Sequence, residues 1–207
     1  LYIVHTSSNE ALEAALRARD AGTDITIETC PHYLTHDIDW EGGDIGKINP
    51  PLRGRLDREA LWNGIVVGDI DTIATDHVHR DISSKAGGIW KASPGCAGLE
   101  TLLPVMLTDG HHERGIALGH IASLLSSAPA NVMGLQHCKG RIAVGLDADF
   151  AIVDLYREYA YERGDVRSSA GYSIYEGRWF KGQVVHTLVR GRFVVRDRAE
   201  AALALFV

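Results

Sequence analysis

Cysteine is scarce in these 207 residues: Cys30, Cys96 and Cys138 are the only three, an odd number with no paired spacing. That pattern argues against a disulfide framework and fits a reduced, cytoplasmic compartment. No apolar run approaches the length that spans a bilayer, and no signal peptide is recognisable, so neither a membrane nor a secretory route is expected. Positive charge is in short supply too. The formal charge is −6, and no Lys/Arg cluster stands out, which speaks against a nucleic-acid surface. Internal repeats and low-complexity tracts are missing. So is an initiator Met: Leu1-Tyr2-Ile3-Val4 reads as a strand already under way, and the chain is expected to be the C-terminal part of something longer. Apolar content of 45% and charged content of 23% leave an ordinary globular protein.

What the chain does have is polar punctuation at the ends of strand-like runs. Leu1–Val4 leads into His5, Ile25–Cys30 into Pro31-His32, and Asp71–Thr75 into Asp76-His77. A helical stretch separates the first two runs, and strand–helix–strand is the rhythm of a parallel α/β sheet. Ligands in such folds bind at the carboxyl ends of the strands. Imidazole and carboxylate recurring there are the nitrogen and oxygen donors that zinc accepts. Any one of them alone reads as a stray polar residue; three at equivalent places read as a site.

The elements between follow from local signals. Ser7 and Glu10 have capping-box spacing, Leu12, Ala15 and Leu16 follow at helical intervals, and Gly22 is a stop. Ile45–Asn49, ending at Pro50-Pro51, is consistent with one more strand. Asp57 can cap a helix running to Val67. Arg80–Gly98 is rich in Gly, Ser and Lys without a period, and a long loop there suits a lid or binding loop. Helical patterns cover Leu99–Thr108 and Leu118–Ser127. Beyond Gly140 the character changes to short strands at Ala148–Val153, Val184–Val189 and Arg192–Val195, with Arg190-Gly191 as a hairpin turn. The expected organisation is an α/β domain over residues 1–139 and a small β-domain over 140–207.

Taken together, the motifs carry a resemblance. Ile3-Val4-His5-Thr6-Ser7-Ser8, Glu28-Thr29-Cys30-Pro31-His32-Tyr33-Leu34, Asn49-Pro50-Pro51-Leu52-Arg53 and Ala74-Thr75-Asp76-His77, in that order, resemble the second half of the cyclic amidohydrolases: dihydroorotase, allantoinase and the hydantoinase/dihydropyrimidinase group. Ser93–Pro104 is similar to the loop and helix after the last barrel strand of that family. Gly140-Arg141-Ile142 with Gly145–Asp149 resembles the start of its C-terminal β-sandwich.

The resemblance implies the second half of a (β/α)8 barrel of TIM type, followed by a small β-sandwich, with a two-metal zinc site at the barrel's C-terminal face. Carried over by motif, His5 matches the histidine ending the fifth strand and His32 the one ending the sixth, both on the second metal. Asp76 matches the aspartate ending the eighth strand, a ligand of the first metal and the proton shuttle. The His-x-His pair of the first strand and the carboxylated lysine of the fourth have no counterpart in this sequence. His79-Arg80 stands where many dihydroorotases have Ala-Pro-His after this Asp-His, so dihydroorotase, allantoinase and hydantoinase substrates all stay open. The contrasting reading is a non-catalytic scaffold like the dihydropyrimidinase-related proteins; the family further implies a homo-oligomer as the full-length form.

The chemistry has its own logic. A cyclic amide is a poor electrophile and neutral water a poor nucleophile; metal ions supply both a lowered water pKa and a polarised carbonyl. A carboxylate at the metal-bound solvent is placed to carry the proton to the leaving nitrogen, which singles out Asp76. Asn49 could hydrogen-bond a substrate imide, or serve as a turn residue before proline. Pro94-Gly95 could bring backbone amides to the substrate, or simply punctuate a loop. His77 could orient Asp76, line the pocket, or support the site from behind. The remaining histidines, among them His36, read as surface or packing residues. Tyr172 and Tyr175 read as packing the terminal domain against the barrel, and Trp90 as a ring that could close over a substrate.

Overall fold

β-Branched residues dominate the three short parallel strands of the computed structural model, which describes residues 1–200. They are β1 (Tyr2–Ile3), β2 (Thr26–Thr29) and β3 (Thr72–Ile73), hydrogen-bonded in that order. Tyr2 and Ile3 lie opposite Thr26 and Ile27, and Glu28 and Thr29 opposite Thr72 and Ile73. The long connection between each pair carries a helix, as parallel pairing requires. α1 (Asn9–Asp20) joins β1 to β2 and buries Leu12 and Ala15. After β2 come a short helix, α2 (Pro31–Thr35), and then α3 (Arg55–Val67), which buries Leu61, Trp62 and Ile65 and leads to β3. Ile27, Leu61 and Ile65 are fully buried, and Trp62 donates its indole N–H to the carbonyl of Leu34 at 2.8 Å.

Two caps differ by a residue or more from the sequence expectation. Ser8, not Ser7, caps α1, its hydroxyl accepting from the amide of Ala11 at 3.2 Å. Gly54 starts α3, while Asp57 sits one turn inside it and accepts from the amides of Gly54 and Asn9 at 3.2 and 2.9 Å. One carboxylate thereby ties the starts of two helices together. The strand expected over Ile45–Asn49 does not form. Gly43–Gly46 is a 3₁₀ turn, and β2 pairs directly with β3, so nothing is inserted between them. Among the described residues the parallel sheet therefore has three strands, one short of the four expected.

By contacts, Leu1–Met106 groups with Tyr161–Arg178, and Leu107–Ala160 with the described residues from Trp179 onward. The grouping thus cuts across the sequence division at 139/140. Within the first unit, Glu100 accepts from the amides of Arg167 and Ser168, both at 2.7 Å, and from the hydroxyl of Tyr161 at 3.1 Å. Tyr172 and Tyr175 are buried in this same unit, Tyr175 sharing a 3.0 Å hydrogen bond with Thr35. The second unit has a four-stranded sheet in the order β4 (Phe150–Tyr161), β5 (Arg178–Val189), β6 (Arg192–Arg196), β7 (Ala199–Glu200). The β5–β6 hairpin turns at Arg190-Gly191, both in left-handed backbone, as a tight antiparallel turn demands. No helix among the described residues is long and apolar enough to cross a membrane.

Candidate active site

His5 and Asp76 share an unusual backbone. Each lies just past the carboxyl end of a parallel strand, β1 for His5 and β3 for Asp76, and each has left-handed φ, 43° and 45°. Such backbone is uncommon outside glycine and persists where the surroundings impose it, often at functional sites. For His5 the surroundings are visible. The amide of Thr6 donates to the carbonyl of Glu28 at 2.8 Å, the Thr29 hydroxyl donates to the carbonyl of Thr6 at 2.7 Å, and the His5 amide reaches the Glu28 carboxylate at 3.4 Å. Glu28 is itself buried and accepts a short hydrogen bond from the hydroxyl of Tyr2. Burial and that bond push the Tyr2 phenol up to about 12, so it stays a donor. A glutamate within a short β-branched strand was a signal in the sequence; Tyr2 carried none.

Asp76 is half-buried, and burial raises its carboxyl above the ordinary range, while the nearby His5 pulls it back down. Raising the basicity of a carboxylate in this way suits proton transfer. His77 beside it accepts hydrogen bonds on Nδ1 from the amides of Gly98 and Leu99, at 3.1 and 3.3 Å. Nδ1 must carry the lone pair, so the ring proton sits on Nε2. His77 also lines an open cavity of about 550 Å³ with His79, Leu99, Glu100, Arg167, Ser168 and Ser169.

His32 lies in α2 rather than directly at a strand end, and only 2% of it is exposed. Burial first, then the charges of His36 and His5, lower its pKa to about 3, so the imidazole is neutral. Its Nε2 is buried without a hydrogen-bond partner. Neutral imidazole, an orphaned ring nitrogen and a carboxylate suit a divalent metal in donor chemistry. Among the described residues, however, no group of three or more His, Cys, Asp or Glu is arranged to hold an ion. Asn49 is exposed, and so is Pro94, whose carbonyl receives Arg80 at 3.4 Å. The Gly95 amide donates to the carbonyl of Lys47 at 3.0 Å and is thus committed within the fold rather than turned to a ligand. That bond was illegible in the sequence, since it joins two irregular segments.

The amidohydrolase family pattern matches residues 4–194. Allantoinase from Escherichia coli strain K12 is 36% identical over 193 residues, covering 92% of this chain and 42% of the allantoinase. Among solved structures, L-hydantoinase (dihydropyrimidinase) from Arthrobacter aurescens superposes with a TM-score of 0.90 at 31% identity, over 98% of this chain and 46% of that one. Dihydropyrimidinase from Brevibacillus agri NCHU1002 does so at 0.90 and 30%, over 97% and 45%. The chain spans less than half the length of each of these relatives.

Proposed function

Because the chain belongs to the amidohydrolase family, we propose that it forms part of a metal-dependent hydrolase that opens the C–N bond of a cyclic amide. The observation that carries this reading is the placement of His5 and Asp76, each held in left-handed backbone just past the carboxyl ends of β1 and β3. In this reading residues 1–139 are the closing part of a (β/α)8 barrel and residues 140–207 part of a β-sandwich. The remaining barrel strands, the His-x-His pair and the carboxylated lysine would come from sequence outside these residues.

The strand count refines the ligand set. If β3 is the eighth barrel strand, β2 and β1, paired to it without interruption, become the seventh and sixth. His5 then ends the sixth strand, a position that carries a ligand in the family pattern. His32 follows the seventh, where the pattern carries none, yet its orphaned Nε2 favours a ligand role. Metal content separates these: His5→Ala should lose metal, and His32→Ala should lose it only if that nitrogen binds.

Zinc bound at His5 and Asp76 would supply an activated water and a polarised carbonyl. Asp76, made more basic by burial, takes the proton from the attacking water and passes it to the leaving nitrogen. The Nε2–H of His77 is available to a substrate oxygen, and Asn49 to an imide edge. Pro94 and Gly95 shape the rim rather than donate to the substrate. Homo-oligomeric assembly and a cytoplasmic location complete the proposal.

The test uses the longest natural polypeptide carrying these residues, loaded with zinc and assayed on allantoin first, then hydantoin, dihydrouracil and dihydroorotate. Turnover of one of these is expected. Asp76→Asn should lower it by about 10²–10⁴-fold with the fold intact. Metal-loaded protein that turns over none of them would favour the scaffold role instead.

A further inference from the structure

Lys85 is a cation in an unexpected place. It ends the 3₁₀ turn Ile82–Lys85 in the long loop after β3, and only 1% of its surface is exposed. Lysine is almost never buried to this degree without a paired charge, and among the described residues no carboxylate forms an ion pair with it. Its Nζ donates to the backbone carbonyl of Lys47, at 2.9 Å. The same carbonyl accepts from the amide of Gly95 at 3.0 Å. Gly95, at φ 104°, lies so close to Val78 that a Cβ built there would be 2.7 Å from the valine's Cβ. The amide of Val78 in turn donates to the carbonyl of Cys96 at 2.9 Å, alongside the bridge between His77 and Cys96. One chain of contacts thus runs from a buried ammonium through Lys47 to residues 94–96, and from there to the segment that follows Asp76.

We propose that Lys85 is a positioning residue for the candidate active site: through the Lys47 carbonyl its ammonium fixes residues 94–96 against residues 76–78, and so sets where Asp76 and His77 meet the substrate. The catalytic part of this inference rests on the hydrolase reading above. The structural part does not. The arrangement explains why a charge is kept in a dry place. A neutral side chain of similar size would fill the space, but it could not share the Lys47 carbonyl with the Gly95 amide. Cys96, the buried thiol beside Lys85, is pushed up to about 12 by burial and stays neutral, so it does not serve as counter-ion.

Hydrogen exchange in the longest natural polypeptide carrying these residues tests the clamp without any substrate. In the unmodified protein the amides of Gly95 and Val78 should be protected well beyond those of the neighbouring exposed loop. If they exchange as fast as the amide of Ile89 in the exposed loop, the clamp does not exist. In Lys85→Met both should exchange at least about tenfold faster, while Thr26 in β2 and Ala74 just past β3, bonded to the Thr29 carbonyl, stay unchanged. Lys85→Arg, which keeps the donor and the charge, should recover part of the protection. A folded Lys85→Met protein with unaltered exchange at Gly95 would overturn the proposal. With allantoin as substrate, Lys85→Met should lower kcat by up to about 10²-fold with a smaller change in KM, as misplacement of catalytic groups does. Equal kcat in a variant with loosened Gly95 would remove the catalytic role and leave only the clamp. If the unmodified protein hydrolyses no cyclic amide, the functional reading fails, while the exchange pattern still judges the clamp.

Discussion

A neutral imidazole sealed from water is a stored response to acid. His32 titrates near pH 3 and His36 near 4, both lowered chiefly by burial, against an ordinary value of 6.5. His36 is held by the carbonyl of Ile174 at 3.1 Å and stacks edge-on against Trp40 and Tyr175. In the unfolded chain each ring takes a proton as the pH falls through about 6.5, whereas the folded ring refuses it. The stability these rings contribute is therefore complete above about pH 6.5 and is lost progressively as the pH drops toward 4. Each ring can contribute a slope of up to about 1.4 kcal/mol per pH unit in that window. Urea midpoints measured between pH 4.5 and 7.5 should rise with pH, and His36→Gln should flatten the rise. A midpoint independent of pH over that range would mean that the rings are not kept neutral by the fold.

At the level of elements, the site is made by where strands stop. The segment after β3 must turn sharply at Asp76 and then run beside Cys96, and Gly95 is the point where the two backbones come closest. Gly95→Ala should cost about 1–3 kcal/mol, because positive φ and overlap with Val78 act together. Gly98, nearby, has ordinary backbone and room for a Cβ at 3.4 Å from the carbonyl of Thr75. Gly98→Ala should stay within about 0.5 kcal/mol of the unmodified protein. Denaturant unfolding of the pair checks both, and equal losses would show that the close approach at Gly95 is not what constrains the loop.

At the scale of the whole molecule, three parallel strands cannot close a barrel. Among the described residues β1 has a partner on one side only, and Leu1 and Val4 around it stay exposed at 76% and 42%. Since two donors held by an open sheet make a weak metal site, the 207-residue chain by itself should bind zinc weakly and show no measurable turnover of allantoin or hydantoin. Supplying, in trans or in cis, the barrel strands that the proposed reading places outside these residues should raise both. Robust turnover by the isolated chain, followed by ammonia-independent detection of the ring-opened product, would refute the incomplete-site reading.

Much of this was determined by the sequence alone. Parallel strands separated by helices, the strand ends at His5 and Asp76, the family and the late hairpin are all local in origin: alternation, helical spacing, stop signals and motif order act over a few residues and survive whatever surrounds them. Only the tertiary structure decided the rest. It moved the caps to Ser8 and Gly54, turned Ile45–Asn49 from a strand into a 3₁₀ turn and irregular chain, and grouped Tyr161–Arg178 with the strands it was expected merely to touch. It also engaged the Gly95 amide and buried Lys85 over the carbonyl of Lys47. These outcomes depend on which distant backbone groups lie within hydrogen-bond reach and on which charges lose their water, and neither quantity is written in the spacing of residues along a chain.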